Sequence, residues 1–252
     1  MSLDVRGRVA LITGGGTGMG CAIAEALAER GADVALGYAR SRDDAESTAE
    51  RLRGLHVNAT THKADVARVA ECDALVQDVI KEHGRLDILV NGAGTTHFID
   101  YADLQAVTEE VWDEIFDVNL KGAFFVARAA GLWMREHGDG RAVIVNIASV
   151  SAFAPRGSSI PYSVSKSALV HATKGLATAL APSVRVNAVA PGLVLTRWWT
   201  RRGEDEIARQ IAATRFKRDV SVEDVVDAAL LLVQNESMSG QTIAIDAANI
   251  MH

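Results

Sequence analysis

The chain has 252 residues, 48% hydrophobic and 23% charged, with a formal net charge of -6. That length and balance fit one globular α/β domain with a substantial core better than two small ones, and the acidic charge with no basic stripe argues against nucleic acid or an anionic membrane surface as a partner. MSLDVRGRVALITGGG lacks the apolar core of a secretion signal and no run approaches bilayer length, so a soluble cytoplasmic protein is expected.

Taken in order, Arg8-Val-Ala-Leu-Ile-Thr13 predicts a buried first strand, followed by a glycine turn from Gly14 to Gly20 and a helix over 22–30. Glycines let the backbone approach a ligand closely, and a new helix offers unpaired N–H groups and a positive dipole end to a pyrophosphate. Strand, glycine turn and helix in that order predict a dinucleotide site of Rossmann type. DVALGY is the second strand, and HVNATTHKAD a more polar third that suits a sheet edge. LDILVN, AVIVNI and VRVNAVA are central strands and QTIAID the last, with further helices over 43–53, 69–83, 111–137, 162–181 and 222–234. Apolar runs alternating with helical patterns signal parallel βαβ units in a doubly wound sheet. Cys21 and Cys72 have no metal-ligand pattern or paired spacing around them, so neither a disulfide nor a metal is expected.

The segment from Ser149 to Lys166 predicts a proton-transfer site. Pro161 suits a first helical turn, and Tyr162 and Lys166 are four residues apart, hence on one helix face. A nearby ammonium lowers a phenol pKa by roughly 1–3 units, which makes Tyr162 usable as an acid or base. Ser149, just past the fifth strand, is placed to hold a substrate oxygen for it.

With these pieces together, the chain resembles the short-chain dehydrogenase/reductase family from Gly7 to Asp246. Thr13-Gly14-x-x-x-Gly18-x-Gly20 matches its cofactor turn, where the resemblance implies contacts from Gly14, Thr17, Gly18 and Met19. Asp65-Val66 matches its adenine contact, and Asp65 could also cap the next helix. Asn91-Gly92-Ala93-Gly94 matches its fourth-strand motif, with Gly92 where a second asparagine is usual. Asn119, Ser149, Tyr162 and Lys166 match its catalytic tetrad. Pro191-Gly192 precedes its substrate loop, expected over about 193–218, and Val194 and Thr196 would anchor the nicotinamide carboxamide. The resemblance implies a Rossmann-type seven-stranded parallel sheet of order 3-2-1-4-5-6-7 within a single domain, 1–252. In that reading Tyr162 gives a proton to a carbonyl oxygen that Ser149 orients, while Lys166 lowers the phenol pKa and binds the nicotinamide ribose. Asn119, whose amide would otherwise be satisfied locally, contributes a carbonyl that helps bind a water leading to solvent. A homotetramer is implied, although Ala247-Ala248 replaces the frequent Gly-Gly after Asp246.

The second strand ends in Gly37-Tyr38-Ala39-Arg40-Ser41-Arg42 without an acidic residue for a ribose 2′-hydroxyl, whereas Arg40 and Ser41 can receive a 2′-phosphate. NADP(H) is therefore expected over NAD(H), against the plainer reading in which Arg40 and Arg42 solvate a loop and against Thr17, where NADP-using relatives often carry a cation. The expected function is reduction of a small carbonyl. A 3-oxoacyl thioester reductase is the alternative, with Leu132 and Thr178 at the positions where carrier-protein reductases are basic. A nucleotide-sensing regulator without turnover is the alternative of another class. The pocket rim is expected from Thr96, His97 and Phe98, from 151–160, and from Arg197, Trp198, Trp199, Arg201 and Arg202, which could close over an apolar or anionic substrate.

Overall fold

The computed structural model describes residues 3–200 and 203–250. Arg201 and Arg202 lie outside the described residues, as does the side chain of Trp198. Seven parallel strands form one sheet in the order 3-2-1-4-5-6-7: β1 Val9–Thr13, β2 Asp33–Tyr38, β3 Ala59–Lys63, β4 Ile88–Asn91, β5 Ala142–Ile147, β6 Val184–Pro191 and β7 Thr242–Ile245. The central strands are apolar on both faces because helices cover both. Ala10, Ile12, Ile88, Val90, Val143 and Val145 pack on one side with helices α1 (Gly18–Ala28) and α9 (Val222–Gln234). Val9, Leu11, Leu89 and Ile144 pack on the other with α3 (Val69–His83), α5 (Ala123–His137) and α6 (Ile160–Leu180). Strand side chains alternate in direction, so neighbours along each strand serve opposite cores. The more polar β3 takes one edge, as its composition predicts, and β7 takes the other.

The expected helix over 111–137 is two helices. α4, Glu109–Phe116, is capped by Thr108, whose hydroxyl accepts from the Val111 N–H at 3.4 Å. A widened π-helical turn, Asp117–Gly122, then leads into α5. A side chain at Gly122 would lie 2.6 Å from the Val66 carbonyl oxygen, so glycine permits the chain to pass the loop after β3. α6 begins at Ile160, two residues earlier than expected, because the Ser159 hydroxyl accepts from the Tyr162 N–H and Pro161 occupies the first turn.

The chain order reverses at β1, whose two sheet neighbours are β2 and β4. A crevice at such a reversal, beyond the strand C-termini, is where an open α/β sheet binds its ligand. The substrate-loop segment leaves the sheet at Val194 and returns at Val220, the two forming an isolated parallel bridge. Between them lie α7, Arg197–Thr200, and α8, Glu204–Ala213.

Candidate active site

The cleft at the reversal has a volume of about 390 Å³. Its floor joins the turns after β1 and β4. The Thr13 hydroxyl accepts from the Gly92 and Ala93 N–H groups, both at 3.2 Å. Gly14 has φ +68°, and a Cβ there would lie 3.0 Å from Ala93 backbone atoms. One at Gly20 would lie 2.4 Å from the Gly14 carbonyl oxygen. The turn is thus too tight for side chains at either position and leaves the start of α1 open to the cleft. Thr17, extended before that helix, makes no side-chain cap, and the first turn carries no acidic residue. An anionic group here meets unpaired N–H donors and the positive end of a helix dipole.

Thirteen of the expected site residues line this cleft: Gly14, Thr17, Gly18, Met19, Arg40, Ser41, Asp65, Val66, Gly92, Ala93, Tyr162, Lys166 and Thr196. Arg40 is exposed at its outer end, with Ser41 preceding α2 (Arg42–Arg53). Asp65 does not cap α3. Its carboxylate accepts from the Ala67 N–H at 3.1 Å, closing a local turn, and the helix starts after Arg68 without a side-chain cap.

Four expected cofactor residues are not among the lining residues. The Asn91 amide is buried, donating to the Ala123 carbonyl at 3.0 Å and the Asn146 side chain at 2.9 Å, so it ties β4 to β5 and α5. Gly192 lets β6 pass β7, since a Cβ there would lie 2.8 Å from the Asp246 Cα. Pro191 is buried at the end of β6, and Val194 belongs to the bridge at the base of the loop. At Gly192 the sequence signal marks a tight backbone approach, and at Asn91 a buried amide that joins two strands and a helix.

Ser149, Tyr162 and Lys166 converge where β5 ends and α6 begins. The Ser149 hydroxyl neighbours the Tyr162 phenol and lowers its pKa. Lys166, 5% exposed, donates to the Ile147 carbonyl at 2.8 Å, and its Nζ lies 5.8 Å from the Tyr162 ring centroid. Burial pushes the phenol up to about 12, against the lowering effect of the Ser149 hydrogen bond. Burial pushes Lys166 down to about 8. The expectation that Lys166 lowers the phenol is therefore corrected: desolvation dominates both groups and keeps the phenol protonated. Asn119 is buried in the π turn with its side chain spent on protein. Its Oδ1 accepts from the Thr95 N–H, while Nδ2 donates to the Thr95 carbonyl and the Ser165 hydroxyl.

Several described residues of the expected rim are held by contacts with one another or with neighbouring helices. Thr96 and Ser158 share a hydrogen bond between hydroxyls. His97 pairs with Glu114 at 2.8 Å, and Phe98 meets Trp199 edge-on with centroids 5.7 Å apart. Arg197 makes a bidentate pair with Asp44 at 2.7 Å per bond, which ties α7 to the start of α2 across the cleft mouth and holds the Asp44 carboxyl below its ordinary range. Thr95, Glu114 and Val118 also line the cleft and were missed. Val118 sits in the π turn, which no residue type announces.

The short chain dehydrogenase family model matches residues 8–207. A Streptomyces violaceoruber protein assigned as ketoacyl reductase 2 of the granaticin polyketide synthase is 40% identical over 241 residues, covering 94% of each chain. The solved blue fluorescent protein from a metagenomic library, in complex with NADPH, superposes with a TM-score of 0.90 at 28% identity, covering 99% of this chain and 100% of its own. NAD+-bound xylitol dehydrogenase superposes with a TM-score of 0.88 at 26% identity, covering 96% and 99%. The match over the nucleotide cleft and the Ser149, Tyr162 and Lys166 constellation place the chain in the short-chain dehydrogenase/reductase family, oxidoreductases that bind nicotinamide cofactors and interconvert carbonyls and alcohols.

Proposed function

We propose that the protein is an NADPH-dependent ketoreductase that reduces a small ketone or other carbonyl to an alcohol. The observation that carries this reading is the meeting of Ser149 with Tyr162 and Lys166, the last two lining the cleft at the chain reversal. The reduced nicotinamide, when bound, supplies a hydride to the carbonyl carbon. Tyr162 holds a proton at Oη and gives it to the carbonyl oxygen as negative charge develops there. Burial favours the protonated phenol, the form an acid needs. The Ser149 hydroxyl donates to the same oxygen and shares its charge. Lys166 would bind the nicotinamide ribose hydroxyls and resupply the proton. The main-chain carbonyl of Asn119, in the widened turn, would hold the water that connects Lys166 to solvent. The Val194 main chain and the Thr196 hydroxyl would hold the carboxamide.

Arg40 and Ser41 support NADPH, since a guanidinium and a hydroxyl stand where an NAD enzyme offers a carboxylate. A 3-oxoacyl thioester is the second reading, favoured by the 40% identity to the ketoacyl reductase relative. Leu132 and Thr178 are exposed where carrier-protein reductases are basic, which favours a free or coenzyme A thioester. We place the protein in the cytoplasm as a homotetramer. Among the described residues no helix is long and apolar enough to cross a membrane, and Trp112, Phe124 and Leu132 on α4 and α5 are exposed, as an assembling face requires. Sedimentation at micromolar concentration tests the assembly.

A panel of carbonyls assayed with NADPH and NADH tests the function. Tyr162→Phe is expected to keep NADPH binding and lose roughly 10²–10⁴-fold in turnover. An active Phe variant would sink the assignment of the acid.

A further inference from the structure

Ser149 is gripped by a second serine two residues on. Its Oγ accepts from the Ser151 N–H at 3.2 Å and from the Ser151 hydroxyl at 2.9 Å. Ser151 is 4% exposed. It lies in the single turn Val150–Ala152 that follows β5, and Gly157 (φ +110°) closes over it. A Cβ at Gly157 would come within 3.1 Å of the Ser151 Cβ and 3.3 Å of the Tyr162 ring. Ser151 and Tyr162 therefore share one tightly packed wall, and the Ser151 side chain has little room to turn away.

A hydroxyl carries one proton and two lone pairs. The two donations from Ser151 occupy both lone pairs of Ser149, so its proton is what remains. Ser149 also lowers the pKa of the neighbouring Tyr162 phenol, as a hydroxyl that offers its proton to the phenol oxygen does.

Resting on the reading that Ser149 acts on the substrate oxygen, we propose that Ser151 is a positioning residue that fixes Ser149 as a donor, toward Tyr162 before substrate arrives and toward the carbonyl oxygen afterwards. The consequence concerns the acid. If Ser149 kept a free lone pair, it could accept the phenolic proton, and Tyr162 would spend on its neighbour the hydrogen that the substrate needs. With both of its lone pairs taken, Ser149 is not the acceptor of the Tyr162 O–H. Ser149 and Tyr162 then converge on one oxygen as two donors.

The test compares Ser149→Ala, Ser151→Ala, Ser151→Thr and the Ser149→Ala/Ser151→Ala double variant, using NADPH and the ketone that the wild-type enzyme reduces fastest in a panel of aliphatic, aromatic and 3-oxo ester ketones. Ser151→Ala is expected to lower kcat/KM by roughly five- to tenfold, the weight of one neutral hydrogen bond, with NADPH affinity by fluorescence titration unchanged. In the alcohol-oxidation direction it should move the rising limb of the pH profile to higher pH, because the phenolate loses a committed donor. Ser151→Thr keeps the hydroxyl and should restore both. In the Ser149→Ala background, removing the Ser151 hydroxyl should cost nothing further. Equal losses in both backgrounds, or full activity with an unmoved pH limb in Ser151→Ala, would overturn the proposal. Should the alanine variant not fold, Ser151→Cys preserves the volume with a weaker donor and makes the same comparison. Wild-type activity in Ser149→Ala would instead remove the reading of Ser149 itself, and that outcome is separate from a failure confined to Ser151.

Discussion

Asn119 holds Thr95 by both of its backbone polar groups: Oδ1 accepts from the Thr95 N–H at 2.8 Å and Nδ2 donates to the Thr95 carbonyl at 3.0 Å. One amide thus stands in for a β-ladder partner and fixes the loop after β4 against the π turn. Asn119→Ala leaves two partly buried backbone groups unpaired, at about 1–3 kcal/mol each. Urea unfolding is expected to show that loss, together with reduced turnover, since Thr95 lines the cleft. An alanine variant as stable and active as wild type would refute the role.

The pH dependence follows from burial. Lys166 is lowered from 10.5 to about 8, while Tyr162 is raised from 10.0 to about 12. As pH rises through about 8 the ammonium loses its proton and the phenol keeps its own. For ketone reduction, kcat/KM should therefore fall above about pH 8, with the lysine as the titrating group. Lys166→Arg, which stays charged, should remove that limb. A limb that persists unchanged in the arginine variant would assign it elsewhere.

Cofactor choice rests on the end of β2. Arg40→Ala removes a charge-assisted partner for a 2′-phosphate and should raise KM for NADPH by roughly 10- to 100-fold while leaving NADH almost unchanged. Equal effects on the two cofactors would return Arg40 to the role of a loop residue. Arg197 and Asp44 offer an internal comparison. They bridge the cleft mouth, so breaking the pair should speed release of both cofactors alike.

Ala247 and Ala248 have φ of +53° and +58°, in the left-handed region where glycine carries no steric penalty. Replacing either by glycine should stabilise the protein by about 0.5–1 kcal/mol. Thermal unfolding of each variant checks this, and a lower midpoint would contradict it.

The strands and the edge position of β3 were legible because central parallel strands must be apolar on both faces, whereas the strand order came from the family resemblance. The glycine turn was legible for a related reason: a strand, close-packed glycines and a helix start leave one ligand-facing geometry. Asn91 and Gly192 also answer to the fold itself. The Asn91 amide ties β4 to β5 and α5, and Gly192 gives room for two strand ends to pass, constraints that sequence cannot tell from a ligand contact.

By itself, the sequence determined the alternating strands and helices, the glycine turn after the first strand and the pairing of Tyr162 with Lys166 on one helix, because periodicity and local turn chemistry act over a few residues. Tertiary structure alone decided that the helix pattern at Asn119 opens into a π turn and that Ser151 saturates Ser149. It also decided that Lys166 and Tyr162 shift apart in pKa through burial rather than together through charge. Those outcomes depend on distances between segments remote in the chain and on how much water is excluded around them.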